Sequence, residues 1–353
     1  MRGEAWTSDR RLQKQAPAES GGLSPQSDFA ARLPHPSRPT PHHPEGQRLT
    51  ISDNPQDAPS ARPAPAISFE FFPPRTAEQR LILESTWQKL AHLEPAYLSV
   101  TFGAGGSTLG ATRETIEALI NSSGVPVAPH ISCMARNREM LRELLENYRL
   151  KGVNRLVVLR GDRPDGMSGL GPFQYASELV AFVREEFGDD FHIEVACYPE
   201  FHPESLSPQS ELKHFLTKVE AGANGAITQY FYNPDSYFRF VDDCLRMGID
   251  IPITPGIMPI TNYRQLSRFS DMCGAEIPQW IRRRLEGFGD DGAAIRDFGL
   301  DVVTALCERL HEGGAPGFHI YTLNRANASM LLWQRLNQNR KSESCSRTGS
   351  RFP

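Results

Sequence analysis

The stretch ISFEFFPPRT, Ile67 to Thr76, sets one carboxylate, Glu70, in a run of Ile, Phe and Pro. Such a run reads as a short buried strand that Pro73 and Pro74 terminate. A carboxylate there loses much of its hydration. It is therefore either paired, Arg75 being the nearest cation in sequence, or held as the neutral acid for proton transfer.

Other apolar runs also deliver polar groups as they end. AYLSVTF closes on Thr101 and the loop FGAGGST, and VPVAPHISC carries His130. NRLVVLRG opens an RGD at Arg160 to Asp162, and FHIEVACYP leads into YPEFHPE with Tyr198, Glu200 and His202. GAITQYF ends in Thr228, Gln229 and Tyr230, IPITPGI in PGIMP, and FHIYTLN in Asn324 and Arg325. Each residue alone has a structural explanation; His130, for instance, reads equally as a satisfied core histidine. Their convergence on successive strand ends points to function.

Several chemistries are disfavoured. A zinc or iron barrel generally places two histidines as H-x-H on one strand, and none occurs. His42 and His43 are adjacent, but in a Pro-rich stretch. No strand carries a lysine near its end for a Schiff base, and the seventh run is Pro- and Met-rich where a phosphate site would be glycine-rich. What remains suits a planar, polar, heteroaromatic ligand held by hydrogen bonds and stacking.

The elements that must position these groups follow from periodicity. Eight β-branched and aromatic runs alternate with segments of helical spacing. Leu81, Leu83, Trp87, Leu90 and Leu93 are expected to share a helix face, as are Met140, Leu141, Leu144, Leu145 and Tyr148, and Leu212, Phe215, Leu216 and Val219. Gly152 and Gly222 fall where helix C-caps are expected. Continuous apolar strands with helical crossovers imply an α/β fold with a parallel sheet covered on both faces, and eight such units predict a (β/α)8 TIM-type barrel. An open doubly wound sheet is the alternative. Its dinucleotide fingerprint fails, because the sixth position from Gly103 is Thr108 and the loop lies outside the first βα unit.

The chain has 353 residues with a net charge of -4, so no strong field invites nucleic acid or an anionic membrane. It lacks an apolar stretch of about 18 residues and a secretory signal. Six scattered cysteines without a C-x-x-C pair argue against a disulfide framework and a structural zinc site, and a reducing cytoplasm is the expected location. Eleven of the 28 prolines fall in residues 1–65, read as a disordered leader. The catalytic barrel is expected over 66–338 and a disordered tail over 339–353.

In order along the chain, SFEFFPPR, SVTFGAGGST, APHISC, LRGD, YPEFHPE, AGANGAITQYFY, PGIMPITNY and FHIYTLNRA resemble the methylenetetrahydrofolate reductase family, from about Ile67 to about Leu336. The likeness is to the short, bacterial-type enzyme. It implies a barrel that binds FAD at its C-terminal face and uses NADH or NADPH to reduce 5,10-methylenetetrahydrofolate to 5-methyltetrahydrofolate for methionine synthesis, by a ping-pong transfer through flavin N5. With the chain ending soon after the eighth strand, the regulatory domain of eukaryotic relatives that binds S-adenosylmethionine is not expected. A homo-oligomer is. Residue by residue, the likeness assigns Glu70 as the general acid that protonates the leaving N10, favoured as the neutral acid between Phe69 and Phe71. It assigns Asp162 to the flavin and pterin, and Gln229, Phe269 (with Tyr263 a rival) and Arg325 to substrate. For FAD it points to Thr101, His130, Arg160, Gly161, Asp162, Tyr198, His202 and Lys218. Two departures stand out: Glu211 replaces an aspartate, and Leu109 or Ala111 stands where relatives often carry arginine. A binding-only barrel and a proline-oxidising flavin barrel are the rival readings. Glu70 speaks against the first, and the LRGD and FEFFPPR context against the second.

Overall fold

The structure is a computed structural model that describes residues 65–102, 109–133, 137–161, 171–200 and 202–348, with side chains described from residue 110 in the second stretch and to residue 339 in the last. Among the described residues nine β segments occur in chain order: β1 (Ala66–Phe71), β2 (Tyr97–Val100), β3 (Val127–Ser132), β4 (Arg155–Leu159), β5 (His192–Cys197), β6 (Gly225–Thr228), β7 (Ile253–Thr254), β8 (Gly256–Ile257) and β9 (Gly317–Tyr321). The helices among the described residues are α1 (Ala77–Ala91), α2 (Leu109–Ser122), α3 (Arg138–Leu150), α4 (Ala176–Phe187), α5 (Pro208–Glu220), α6 (Pro234–Arg246), α7 (Tyr263–Cys273), α8 (Gln279–Gly287), α9 (Gly292–Glu312) and α10 (Ala326–Thr348).

All strand pairs are parallel, in the order β7-β6-β5-β4-β3-β2-β1-β9-β8. The two ends of that order are consecutive in sequence. Pro255 divides the seventh strand into β7, which pairs with β6, and β8, which pairs with β9, so one broken strand closes the ring. Proline has no N–H for the ladder, which explains the break. Its carbonyl still accepts from His319 N at 2.9 Å. The fold is a TIM-type α/β barrel, and the open sheet is excluded.

Side chains alternate across each strand. In β1, Ile67, Phe69 and Phe71 face the helices and are buried, each contributing about 2–3 kcal/mol of transfer free energy. Ser68 and Glu70 lie on the opposite, inner face, in register with Tyr97 and Ser99 of β2 and with His319 and Tyr321 of β9. Inside the ring, among the described residues, Tyr97, Ala128, Val157 and Ile227 form a small apolar cluster with Leu159. The interior is otherwise more polar than the continuous apolar runs imply. Near the strand starts Arg155 pairs with Glu194 at 2.5 Å, and its guanidinium lies 4.8 Å from the Tyr97 ring centroid.

Helix α1 follows Pro74 closely because Thr76 caps it, Oγ1 accepting from Gln79 N. It buries Leu83, Trp87 and Leu90, while Leu81 is 66% exposed. The expected stripe is therefore corrected at that residue. At about 100° per residue, Leu81 sits opposite Leu90 and cannot share its face. Leu141, Leu145 and Tyr148 bury the inner face of α3, and Phe215 that of α5. Gly152 and Gly222 take φ of 80° and 112° just past those helices, the left-handed region that favours glycine. Helix α10 continues to Thr348, past the residue 338 at which the barrel is expected to end.

Candidate active site

The carboxyl ends of the strands form the functional face of such a barrel. Glu70, 9% exposed, sits there at the end of β1. Its backbone carbonyl accepts from Thr322 Oγ1 at 2.6 Å. Beyond it, the Asn324 amide clasps the backbone of Phe72: Phe72 N donates to Oδ1 and Nδ2 donates to Phe72 O, both at 2.9 Å. Leu323 and Asn324 carry φ of 51° and 56°. Asn tolerates this region and Leu does not, so the clasp holds a strained turn that ties β9 to β1 behind the carboxylate. Replacing Asn324 by Ala should lower stability by about 2 kcal/mol, read as a shifted urea midpoint at unchanged slope.

His130 is buried on β3, its Nε2 3.5 Å from Glu70 Oε2. Burial pushes this imidazole down to about 4, against the opposing pull of Glu70. His130 is thus neutral at pH 7, and the contact is not an ion pair. On the far side, His319 Nε2 lies 3.6 Å from the same Oε2. Tyr321 packs edge-on to His319, and its phenol donates to Thr228 O at 2.8 Å.

Five of the anticipated cofactor residues, Arg160, Gly161, Tyr198, His202 and Lys218, line one cavity of about 650 Å3 across the ends of β4 and β5. Arg160 pairs with Glu204 at 2.7 Å, and Lys218 Nζ donates to Ala196 O at 2.6 Å. Burial lowers the Lys218 ammonium from its usual range, while Glu211 opposes that shift. Tyr198 and His202 meet edge to face at 4.8 Å. Glu211 also lines the cavity, where it accepts from Ser205 Oγ at 2.5 Å. Thr101 is half-buried, its N–H donating to Phe71 O at 2.9 Å. Gln229 is half-buried at the end of β6, with Oε1 accepting from Tyr230 N.

Phe269 is half-buried on α7 beneath the Arg268 guanidinium, whereas Tyr263 donates its phenol to Glu286. Arg325 is exposed and lines a different groove, beside Leu81, Ile82 and Arg296. Asp162 and the loop 103–108 lie outside the described residues. Among the described residues no three His, Cys, Asp or Glu are placed to hold a metal ion, and no helix is long and apolar enough to cross a membrane.

The chain matches the family model for methylenetetrahydrofolate reductase over residues 57–337. It belongs to the methylenetetrahydrofolate reductase family. The 5,10-methylenetetrahydrofolate reductase of Escherichia coli (strain K12) is 41% identical over 266 residues, which span 75% of this chain and 88% of that one. That of Pectobacterium carotovorum subsp. carotovorum is 40% identical over the same shares. Among solved structures, an uncharacterized protein from Clostridium thermocellum that binds two copies of 5-methyl-5,6,7,8-tetrahydrofolic acid superposes with a TM-score of 0.59 at 16% identity, covering 79% of this chain and 95% of that one. At that identity the likeness speaks to the fold alone. The family reduces 5,10-methylenetetrahydrofolate, so the ring of strand-end polar groups belongs to an oxidoreductase.

Sequence reasoning noted Glu200 only in passing. Burial raises its carboxyl to about 7 from an ordinary 4.5, although the Glu276 N–H donates to Oε2 at 2.8 Å and favours the charged form. A raised carboxyl binds its proton more tightly folded than unfolded. Its contribution to stability is complete below pH 4.5 and is lost as pH rises through about 7. Glu200→Gln should flatten the corresponding fall in melting temperature, which a calorimetric pH series would read.

Proposed function

We propose that the protein converts 5,10-methylenetetrahydrofolate to 5-methyltetrahydrofolate with FAD as cofactor and NADH or NADPH as reductant, supplying methyl groups for methionine synthesis. The two substrates use one face in turn. The observation that carries this reading is a buried carboxyl, Glu70, at the mouth of a barrel whose neighbouring cavity is lined by Arg160, Tyr198 and Lys218.

That cavity suits an anionic, planar cofactor. Its volume lies within the range of about 300–1,000 Å3 typical of such sites. Arg160 and Lys218 supply cations for a pyrophosphate, and Tyr198 and His202 supply aromatic faces. When bound, FAD supplies the two-electron carrier between nicotinamide and the one-carbon unit.

The chain's own groups prepare the folate. Glu70 gives a proton to N10 as the N10–carbon bond breaks, which leaves an electrophilic iminium at N5. Gln229 offers its amide to the amide-like edge of the pterin, and Phe269 packs against whichever planar ligand is present. Thr101, just past the end of β2, and His130, beside Glu70 on β3, are assigned to border the flavin. Asp162 is assigned a fixed negative charge beside the cofactor and a contact to the pterin. Arg325, which follows Asn324 just past β9 and is exposed, is assigned a contact to the substrate.

The test is product analysis. Purified protein incubated with FAD, NADPH or NADH and methylenetetrahydrofolate should yield 5-methyltetrahydrofolate by chromatography. Retention of the folate unchanged with both reductants would leave the binding-only barrel as the better account.

A further inference from the structure

The polar column inside the barrel gives the pose of Glu70 a cause. Two imidazoles converge on one carboxyl oxygen, His130 Nε2 at 3.5 Å and His319 Nε2 at 3.6 Å, both to Oε2. His319 is fully buried within β9. Its Nδ1 lies 2.7 Å from Ser68 Oγ, and its Nε2 lies 3.4 Å from Ser99 Oγ. Ser68 stands in register with Tyr97 on the neighbouring strand. The His319 ring stacks on Tyr97, centroids 5.8 Å apart, and meets the edge of Tyr321 at 5.5 Å.

We propose that His319, set by Ser68, is a positioning residue for Glu70: its Nε2–H holds Oε2 and leaves the acidic proton on Oε1. This rests on the reading of Glu70 as the general acid. With Ser68 Oγ donating to Nδ1 at 2.7 Å, the ring proton sits on Nε2, the tautomer this role requires. At 3.6 Å the contact to Glu70 is longer than a formed hydrogen bond. Catalytic contacts are often this long without substrate and shorten in the substrate complex. As the proton leaves Oε1 for N10, it joins the electron pair of the breaking N10–carbon bond. The carboxylate left behind is stabilised by the Nε2–H already aimed at it. The groups facing His319 are Ser68 and Glu70 on β1, Tyr97 and Ser99 on β2, His130 on β3 and Tyr321 on its own strand. Arg155 and Glu194 lie beyond Tyr97.

Three holoenzyme variants test this in separate half-reactions. His319→Asn keeps a polar group toward Ser68 but is too short to reach Glu70, and should slow reduction of methylenetetrahydrofolate about 10- to 100-fold, the low end of general-acid effects. His319→Gln restores a donor at the Nε2 position and should recover most of that loss. Ser68→Ala should slow the same step by a smaller factor. In all three, flavin reduction by the nicotinamide should stay within about twofold of wild type, and the pH profile of the folate step alone should move. A readout without cofactor is the 15N spectrum of histidine-labelled apoprotein, where His319 should show the Nε2–H tautomer, mixed in Ser68→Ala. Wild-type folate rates in both His319→Asn and Ser68→Ala overturn the proposal, as does an equal fall in both half-reactions or an Nδ1–H tautomer in the wild type. If His319→Asn does not fold, Ser68→Ala carries the test. A wild-type protein lacking both half-reactions removes the underlying reading, and this inference with it.

Discussion

Replacing Glu70 by Gln is expected to slow reduction of methylenetetrahydrofolate by about 10²- to 10⁴-fold, the span of general acid catalysis, and to leave flavin reduction by NADH or NADPH near the wild-type rate. Gln keeps the size and hydrogen-bonding shape of the side chain but has no proton to give N10. The change is local: Thr322 Oγ1 holds the backbone carbonyl of residue 70, which the substitution leaves intact, and the Asn324 clasp holds Phe72. The split between half-reactions is the informative part. A misfolded or cofactor-free variant loses both, whereas loss of the acid spares the nicotinamide step. Single-turnover traces at the flavin absorbance band, taken for each half-reaction separately, check it. Equal rates in both halves for wild type and variant would remove Glu70 from the chemistry.

The second large effect is on stability. Gly256→Ala is expected to cost about 3 kcal/mol, the upper end of ordinary overpacking, and to lower the melting temperature by roughly 6–12 °C. A Cβ at this position would lie 2.2 Å from Thr228 O and 2.7 Å from the ring and phenol oxygen of Tyr321. The first is backbone and cannot yield like a flexible side-chain tip. Gly256 also stands where the broken seventh strand closes the ring, its N–H donating to Thr228 Oγ1 at 2.8 Å. Relieving the clash would separate β6 from β8 and release the Tyr321 phenol from Thr228 O. Gly287→Ala serves as the control. A Cβ there meets nothing within 4 Å, so the substitution should be neutral or stabilising by up to about 1 kcal/mol. Matched melting temperatures for the two variants would contradict the steric account of barrel closure.

How much of this was legible in the sequence depended on where a residue lies along its strand. Glu70, Arg160, Tyr198 and Gln229 stand at or just past strand ends, where a polar group breaks an apolar run and announces itself. His130 lies within β3, where an imidazole interrupts VPVAPHISC, and the structure brings it against Glu70. His319 is equally anomalous within GFHIYT, but it lies mid-run, and its meaning depends on its partners. Only the register that sets Ser68 beside both Tyr97 and His319 turns three separate residues into a column. Reading the strands as apolar on both faces hid that interior, because outward Phe69 and Phe71 dominate the composition of β1. The break at Pro255 was hidden likewise, since IPITPGI is one apolar run whether or not proline divides its ladder. Arg325 also follows a strand-end motif, and the turn through Leu323 and Asn324 sets it in the groove beside Leu81 and Ile82. Leu81 joined the wrong helix face because leucine spacing was counted without the angle it subtends.

One measurement bears most directly on the central claim that this barrel is a flavin-dependent folate reductase. Purified protein, reconstituted with FAD under anaerobic conditions, is mixed in a stopped-flow instrument with NADH or NADPH and then with methylenetetrahydrofolate. The account predicts a yellow protein that bleaches with one or both nicotinamides and regains its colour with the folate. A protein that stays colourless and takes up no FAD, or one that bleaches and is never reoxidised by the folate, would contradict it.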